Sequence, residues 1–218
     1  MSRFVDLSHE IESGMITYPG LPAPKIIDYL TREASKAHYA DGVTFQISTI
    51  EMVANTGTYL DSPFHRYADG FDLENLPLES CANLPGIVIH CSSMGTAIDA
   101  NSIKNRNLSG HAVLFHTGWD KFWRTSEYGG PNPFLTRELC ERLVEDGAAL
   151  VGIDTVNIDD RNDLQRPAHS VLLKAGIPIV EHLCNLQSLP DANFRFFAVP
   201  PKVKQFPTFS VRAFAIVN

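Results

Sequence analysis

The clearest alternation of apolar and polar positions lies in residues 43–53. Val43, Phe45, Ile47 and Thr49 fall on one side, and Thr44, Gln46, Ser48 and Ile50 on the other. A period of two rich in β-branched residues predicts a strand with one polar face. Residues 4–7 predict a short first strand. Residues 86–90 and 112–116 are short apolar runs with the look of buried strands. Residues 149–154 predict another strand, ending in Asp154, and residues 177–181 one that ends in Glu181. Residues 194–199 and 209–217 complete the sheet.

Helical signals are fewer. Thr136 can cap a helix running to about Asp146, with Leu139, Leu143 and Val144 on one face and Gly147 as its stop. On it, Glu138 and Arg142 have the spacing of a surface ion pair worth about 0.2–0.5 kcal/mol. Pro167 suits the first turn of a second helix over residues 168–174, stopped by Gly176. Strand, helix, strand after residue 134 predicts an α/β fold, while the first half reads as more purely β. Residues 18–24 are too proline-rich for helix; they connect strands or wall a pocket with Tyr18. With no repeat, low-complexity tract or linker, residues 1–218 read as a single domain.

Composition narrows the class. The chain has 218 residues, of which 44% are hydrophobic and 20% charged, the balance of a soluble globular protein. A chain of this length needs no disulfide or metal to hold its core. Its net charge of -7 disfavours nucleic acid and anionic membranes as partners. Cys81, Cys91, Cys140 and Cys184 are far apart and form no CxxC pair. Reduced thiols, a charged start without an apolar signal region and no run of bilayer-spanning length predict a cytoplasmic protein.

The candidate chemistry centres on residues 55–65, Asn-Thr-Gly-Thr-Tyr-Leu-Asp-Ser-Pro-Phe-His. Gly57 permits unusual backbone angles and Pro63 fixes one, so the break after the alternating run can hold Asp61 and His65 in set directions. An aspartate can bind a metal or orient an imidazole, and a histidine can move protons near neutral pH. Taken alone, a turn-capping Asp61 and a surface His65 is the simpler reading. His169 opens the second helix and Glu181 ends a strand, and either alone reads as structural. Together, Asp61, His169 and Glu181 supply the oxygen and nitrogen ligands that suit zinc or manganese. Asp154 is placed to support such a site, whereas residues 159–163, Asp-Asp-Arg-Asn-Asp, read as a solvated loop without EF-hand spacing. His90, His111 and His116 show no ligand-like spacing. Nucleophile elbow, P-loop and dinucleotide motifs are all missing.

The residue 55–65 stretch resembles the His-x-Gly-Thr-His-x-Asp-x-Pro-x-His signature of the Putative cyclase family, which holds bacterial kynurenine formamidases and isatin hydrolases. Asp6-Leu7-Ser8-His9, Tyr18-Pro19-Gly20, Thr117-Gly118-Trp119, Gly152-Ile153-Asp154-Thr155, His169, Glu181 and residues 198–212 extend the resemblance over nearly the whole chain. It implies an α/β fold of the swivelling β/β/α type, a mixed β-sheet core with flanking helices. It also implies a divalent metal (manganese or zinc), a homo-oligomer of two or more subunits, and a small-molecule carbonyl substrate. Asp61, His169 and Glu181 then match metal ligands and His65 the proton-transferring histidine. Asn55 and Tyr59 stand where the signature has two metal-binding histidines. An amide oxygen is a weaker ligand than imidazole, and a phenol binds a metal well only when ionised, with an ordinary pKa of about 10. Three outcomes stay open: a weaker site with Asn55 or Tyr59 as an extra ligand, one metal on Asp61, His169 and Glu181, or a metal-free pocket. The leading expectation is a metal-dependent hydrolase of an amide, lactone or other cyclic carbonyl compound. The alternatives are a metal-free lyase or cyclase using His65 and Tyr59, and a binding protein without catalysis.

Overall fold

The computed structural model describes residues 2–217. In chain order its strands are β1 (Arg3–Asp6), β2 (Lys25–Leu30), β3 (Ile47–Glu51), β4 (Tyr59–Asp61), β5 (Leu84–His90), β6 (Ala97–Ile98), β7 (Ala112–His116), β8 (Phe134–Leu135), β9 (Leu150–Ile153), β10 (Ile179–Glu181), β11 (Phe194–Phe197), β12 (Thr208–Ser210) and β13 (Phe214–Val217). The helices are α1 (Arg32–Ser35), α2 (Arg137–Glu145) and α3 (Pro167–Lys174).

A nine-stranded mixed sheet carries the fold, in the order β1-β13-β11-β5-β7-β9-β10-β4-β12. Its centre, β5-β7-β9-β10, is parallel, and antiparallel strands flank it on both sides. The parallel strands are apolar on both faces because both faces are covered. Ile87, Ile89, Val113, Phe115, Val151 and Ile153 share one core with Leu139 and Leu143 of α2 and Leu172 and Leu173 of α3. Their alternating neighbours Val88, Leu114, Leu150 and Val180 pack with Leu60, Phe194 and Phe196 in the other. Truncating a fully buried leucine such as Leu139 or Leu143 to alanine costs about 2–5 kcal/mol.

The sheet is curled. β12 lies at one edge and β13 lies next to the other edge strand, yet only residues 211–213 join them. Three residues span roughly 10 Å at most, so the two margins must approach each other. Backbone bonds confirm this closure, from Val211 N to Thr58 O at 2.9 Å and from Leu7 N to Ala213 O at 3.0 Å. The stretch 209–217 is therefore two strands rather than one.

Both helices follow the expected boundaries closely. Thr136 Oγ1 accepts from Leu139 N at 3.3 Å, and Pro167 occupies the first turn of α3. Arg142 pairs with Asp146 at 2.9 Å instead of with Glu138. The alternating stretch 43–53 departs further from expectation. Only Ile47–Glu51 is strand; it is exposed along its length and pairs with β2 in a separate two-stranded ribbon. Neither face of β3 meets the core. Among the described residues, no helix is long and apolar enough to cross a membrane, and the four cysteines are free and buried.

Candidate metal centre

Strand pairing builds the floor of the site. β4 pairs with β10, setting Tyr59 opposite Glu181 and Leu60 opposite Val180, and with β12, setting Asp61 opposite Thr208. Alternation sends Leu60 and Val180 into the core and leaves Tyr59, Asp61, Glu181 and Thr208 together on the other face. Tyr59 donates its hydroxyl hydrogen to Glu181 Oε2 at 2.5 Å, and Ile158 N–H donates to Oε1 at 2.6 Å. Thr208 donates to Asp61 Oδ1.

The loops add the imidazoles. Gly57 has φ +66, and a Cβ there would meet Ile11 Cγ1 at 2.9 Å, so the turn into β4 requires glycine. After β4, Pro63 starts a single helical turn, Pro63–His65, that folds His65 back over Asp61 with Nδ1 3.5 Å from Oδ1. His65 Nδ1 also lies 3.1 Å from Thr208 Oγ1. Because that hydroxyl spends its hydrogen on Asp61, it accepts from His65 Nδ1–H. The lone pair of Nε2 is then free for the pocket.

His169 is fixed from behind. Asp159 is fully buried and accepts from Ala168 N at 2.6 Å, His169 N at 3.2 Å and His169 Nδ1 at 2.6 Å. It caps α3 and sets the tautomer of the imidazole in one carboxylate. Reading residues 159–163 as a solvated loop was therefore wrong at Asp159, whose bonds close across a loop and leave no local spacing. His169 Nε2 then stands 3.7 Å from Asp61 Oδ2 and 3.8 Å from Glu181 Oε1, beyond hydrogen-bond range.

Electrostatics favour a cation. Burial opposes charge on Asp61, but His169, His65 and Thr208 outweigh it and hold the carboxyl below its ordinary value. Burial and the neighbouring Asp61 charge push Glu181 up to about 7, against His169, Tyr59 and Ile158. Burial likewise opposes charge on His169, yet Asp159, Asp61 and Glu181 raise it to about 10. Burial, then Glu181 and Asp61, push the Tyr59 phenol well above its ordinary value, so it stays a neutral donor.

The donors fit a divalent ion. Asp61 Oδ2 is buried and has no hydrogen-bond partner. One atom each from Asp61, His65 and His169 lies within 4.8 Å of the others, and outside that group Glu181 Oε1 stands 3.8 Å from His169 Nε2. Asp61 Oδ2 and Glu181 Oε1 stand 3.7 and 3.8 Å from His169 Nε2, near enough for a cation to be shared among them. A buried carboxylate oxygen without a proton donor calls for a facing cation, supplied either by a protonated His169 at 3.7 Å or by an ion held between the two groups.

Asn55, Tyr59, Asp61, His65, His169 and Glu181 all line one pocket of about 270 Å³. Tyr18 and Leu21 wall it, which settles the pocket-lining reading of the proline-rich loop, and Arg66, Asn157 and Arg166 complete it. The sequence reading passed over these last three because none has a distinctive spacing. A cavity of about 540 Å³ beside Trp123 and Tyr128 holds none of these donors. Other expectations fall away from the pocket. Asp154 receives Thr117 N and Oγ1 and Gly118 N, and so ties the loop after β7 to the end of β9. Trp119 donates to Tyr128 O at 3.1 Å.

The chain resembles known proteins over its whole length. The kynurenine formamidase of Bacillus cytotoxicus is 28% identical over 218 residues, covering 97% of this chain and 96% of that one. The Bacillus mycoides kynurenine formamidase is 27% identical with the same coverage. Isatin hydrolase A from Labrenzia aggregata, solved with benzyl benzoate, matches with a TM-score of 0.85 at 23% identity, over 99% of this chain and 94% of that one. A structure described as a potential metal-dependent hydrolase with cyclase activity matches with a TM-score of 0.78 at 22% identity, over all of both chains. These likenesses bear out the mixed α/β sheet fold. The family model described as Putative cyclase matches residues 5–160, well over half of the sequence, and the chain belongs to that family.

Proposed function

We propose that this protein is a metal-dependent hydrolase that adds water to the carbonyl of a small amide, lactone or other cyclic carbonyl compound. The observation that carries this reading is Asp61 Oδ2, buried without a partner and facing the orphan side of His169. Asp61, His169 and Glu181 would hold the ion. With two carboxylates to one imidazole, the set favours manganese over zinc. Such an ion, when bound, polarises a carbonyl and lowers the pKa of a nearby water.

The chain's own groups do the rest. His65 Nε2 takes a proton from the attacking water and returns it to the leaving nitrogen or oxygen as the single bond between that atom and the acyl carbon breaks. Thr208 holds the tautomer that makes this possible. Tyr59 and Ile158 N–H hold Glu181 by both oxygens, and Asn55 opposes the upward shift of the Tyr59 hydroxyl. The relatives named kynurenine formamidase support cleavage of a C–N bond. The metal-free alternative asks Tyr59 to serve as an acid, and its commitment to Glu181 speaks against that. Exposed Ile26, Ile27, Tyr29, Ile47 and Ile50 on the β2–β3 ribbon support an assembly of two or more copies.

Elemental analysis of purified protein tests the reading. A stoichiometric divalent ion, with hydrolysis lost on chelation and on Asp61→Asn, is expected. Full activity in metal-free protein would overturn it.

A further inference from the structure

Two cations line the pocket without an assigned task. Arg66 and Arg166 make none of the ion pairs found among the described residues, whereas Arg124, Arg142 and Arg212 pair with Glu12, Asp146 and Asp6. Arg66 Nη2 donates to the carbonyl of Gln165 at 3.2 Å, the residue before Arg166. That bond ties the Arg66 side chain to the backbone beside Arg166, and both residues line the pocket. Arg166 sits in a left-handed conformation, φ 48, just before Pro167, and reaches Asn157 Oδ1 at 3.4 Å. Asn157 is itself a pocket residue. Both guanidinium groups thus border one pocket without a carboxylate partner, and an anionic ligand there would meet two fork-shaped donors.

We propose that Arg66 and Arg166 bind a carboxylate of the substrate, so that the pocket selects small carbonyl compounds carrying one negative charge. This rests on the hydrolase reading of the same site. Guanidinium forks match a planar carboxylate through paired hydrogen bonds. Asp61 and Glu181 on the floor disfavour a dianion such as phosphate. A volume of about 270 Å³ admits one small ring with its substituents.

The test uses a matched pair of probes, 2-formamidobenzoate and neutral formanilide, with the metal-loaded protein. Wild type should favour the anion at least tenfold in kcat/KM. Arg66→Gln and Arg166→Gln should each lower that value about 10- to 100-fold through KM, with formanilide changed less than twofold and lysine restoring part of the loss. Equal losses on both probes, or no preference in wild type, would mean that the arginines only balance the floor carboxylates; the clamp then fails and the hydrolase reading stands. Calorimetric binding of 2-formamidobenzoate in the His65→Gln background separates the two ideas. Arginine-dependent binding with no turnover of either probe by wild type keeps the clamp and overturns the amide arm of the hydrolase reading; binding indifferent to the arginines sinks the clamp.

Discussion

Asp159→Asn is the most telling perturbation of the site. The carboxylate receives three N–H groups, Ala168 N at 2.6 Å, His169 N at 3.2 Å and His169 Nδ1 at 2.6 Å. An asparagine keeps one oxygen and turns the other into a donor, so one N–H of α3 or the imidazole is left facing an NH₂ group. A lost charge-assisted bond costs about 1.5–3 kcal/mol, and lost charge at the helix N-terminus about 0.3–1 kcal/mol. Unfolding free energy should fall by about 2–4 kcal/mol. The more specific effect is on His169, which loses the partner that directs Nε2 toward Asp61 and Glu181. Removing such an outer partner weakens metal binding about 10- to 100-fold. Manganese titration calorimetry and urea unfolding of the same preparation read both effects. If stability falls but metal affinity stays within threefold of wild type, Asp159 is only a helix cap and the orienting argument is wrong.

Other changes separate the remaining roles. His65→Gln should lower kcat by about 10²- to 10⁴-fold with metal content unchanged, as fits proton transfer; loss of metal instead would make His65 a ligand. Tyr59→Phe removes the donor to a fully buried Glu181 and should cost about 1.5–3 kcal/mol of stability while hydrolysis persists, and loss of turnover at full metal occupancy would revive Tyr59 as an acid. His9 stacks on Trp123 at 3.9 Å, and burial first, then Arg124, lowers its pKa from 6.5 to about 4. The unfolded chain then binds this proton first, so the stability from a neutral His9 is complete above pH 6.5 and is lost as pH falls from 6.5 to 4. The full loss is about 3 kcal/mol, less whatever solvent screens at the partly exposed ring. Urea midpoints of His9→Phe across that window should be correspondingly flatter than wild type, and parallel curves would refute the assignment.

What could be read from sequence depended on where each side chain's partner lay. β5, β7 and β9 show as apolar runs because both faces are buried, and α2 and α3 show because Thr136, Gly147, Pro167 and Gly176 act within one turn. The ribbon strand β3 misled because alternation records side-chain direction and not whether either face meets a core. The break in 209–217 was hidden because the curl that separates β12 from β13 is set by pairing with β4 and with β1 and β11. Asp159 escaped for the same reason, its partners standing 9 and 10 positions away across a loop.

The exchange at positions 55 and 59 can now be weighed physically. A histidine opposite Glu181 would bring a second nitrogen donor to the floor. Tyr59 instead brings a hydrogen to Glu181 Oε2, and burial with two nearby carboxylates keeps that phenol protonated. A group that donates its hydrogen to a ligand carboxylate is not at the same time offering an oxygen to a metal. The positive charge the floor requires must therefore gather on the His169 side, where Asp61 Oδ2 and Glu181 Oε1 face Nε2 at 3.7 and 3.8 Å. On the proposed reading, Asn55 and Tyr59 leave metal binding to Asp61, His169 and Glu181, with His65 held at Nδ1 by Thr208 and its Nε2 turned to proton transfer.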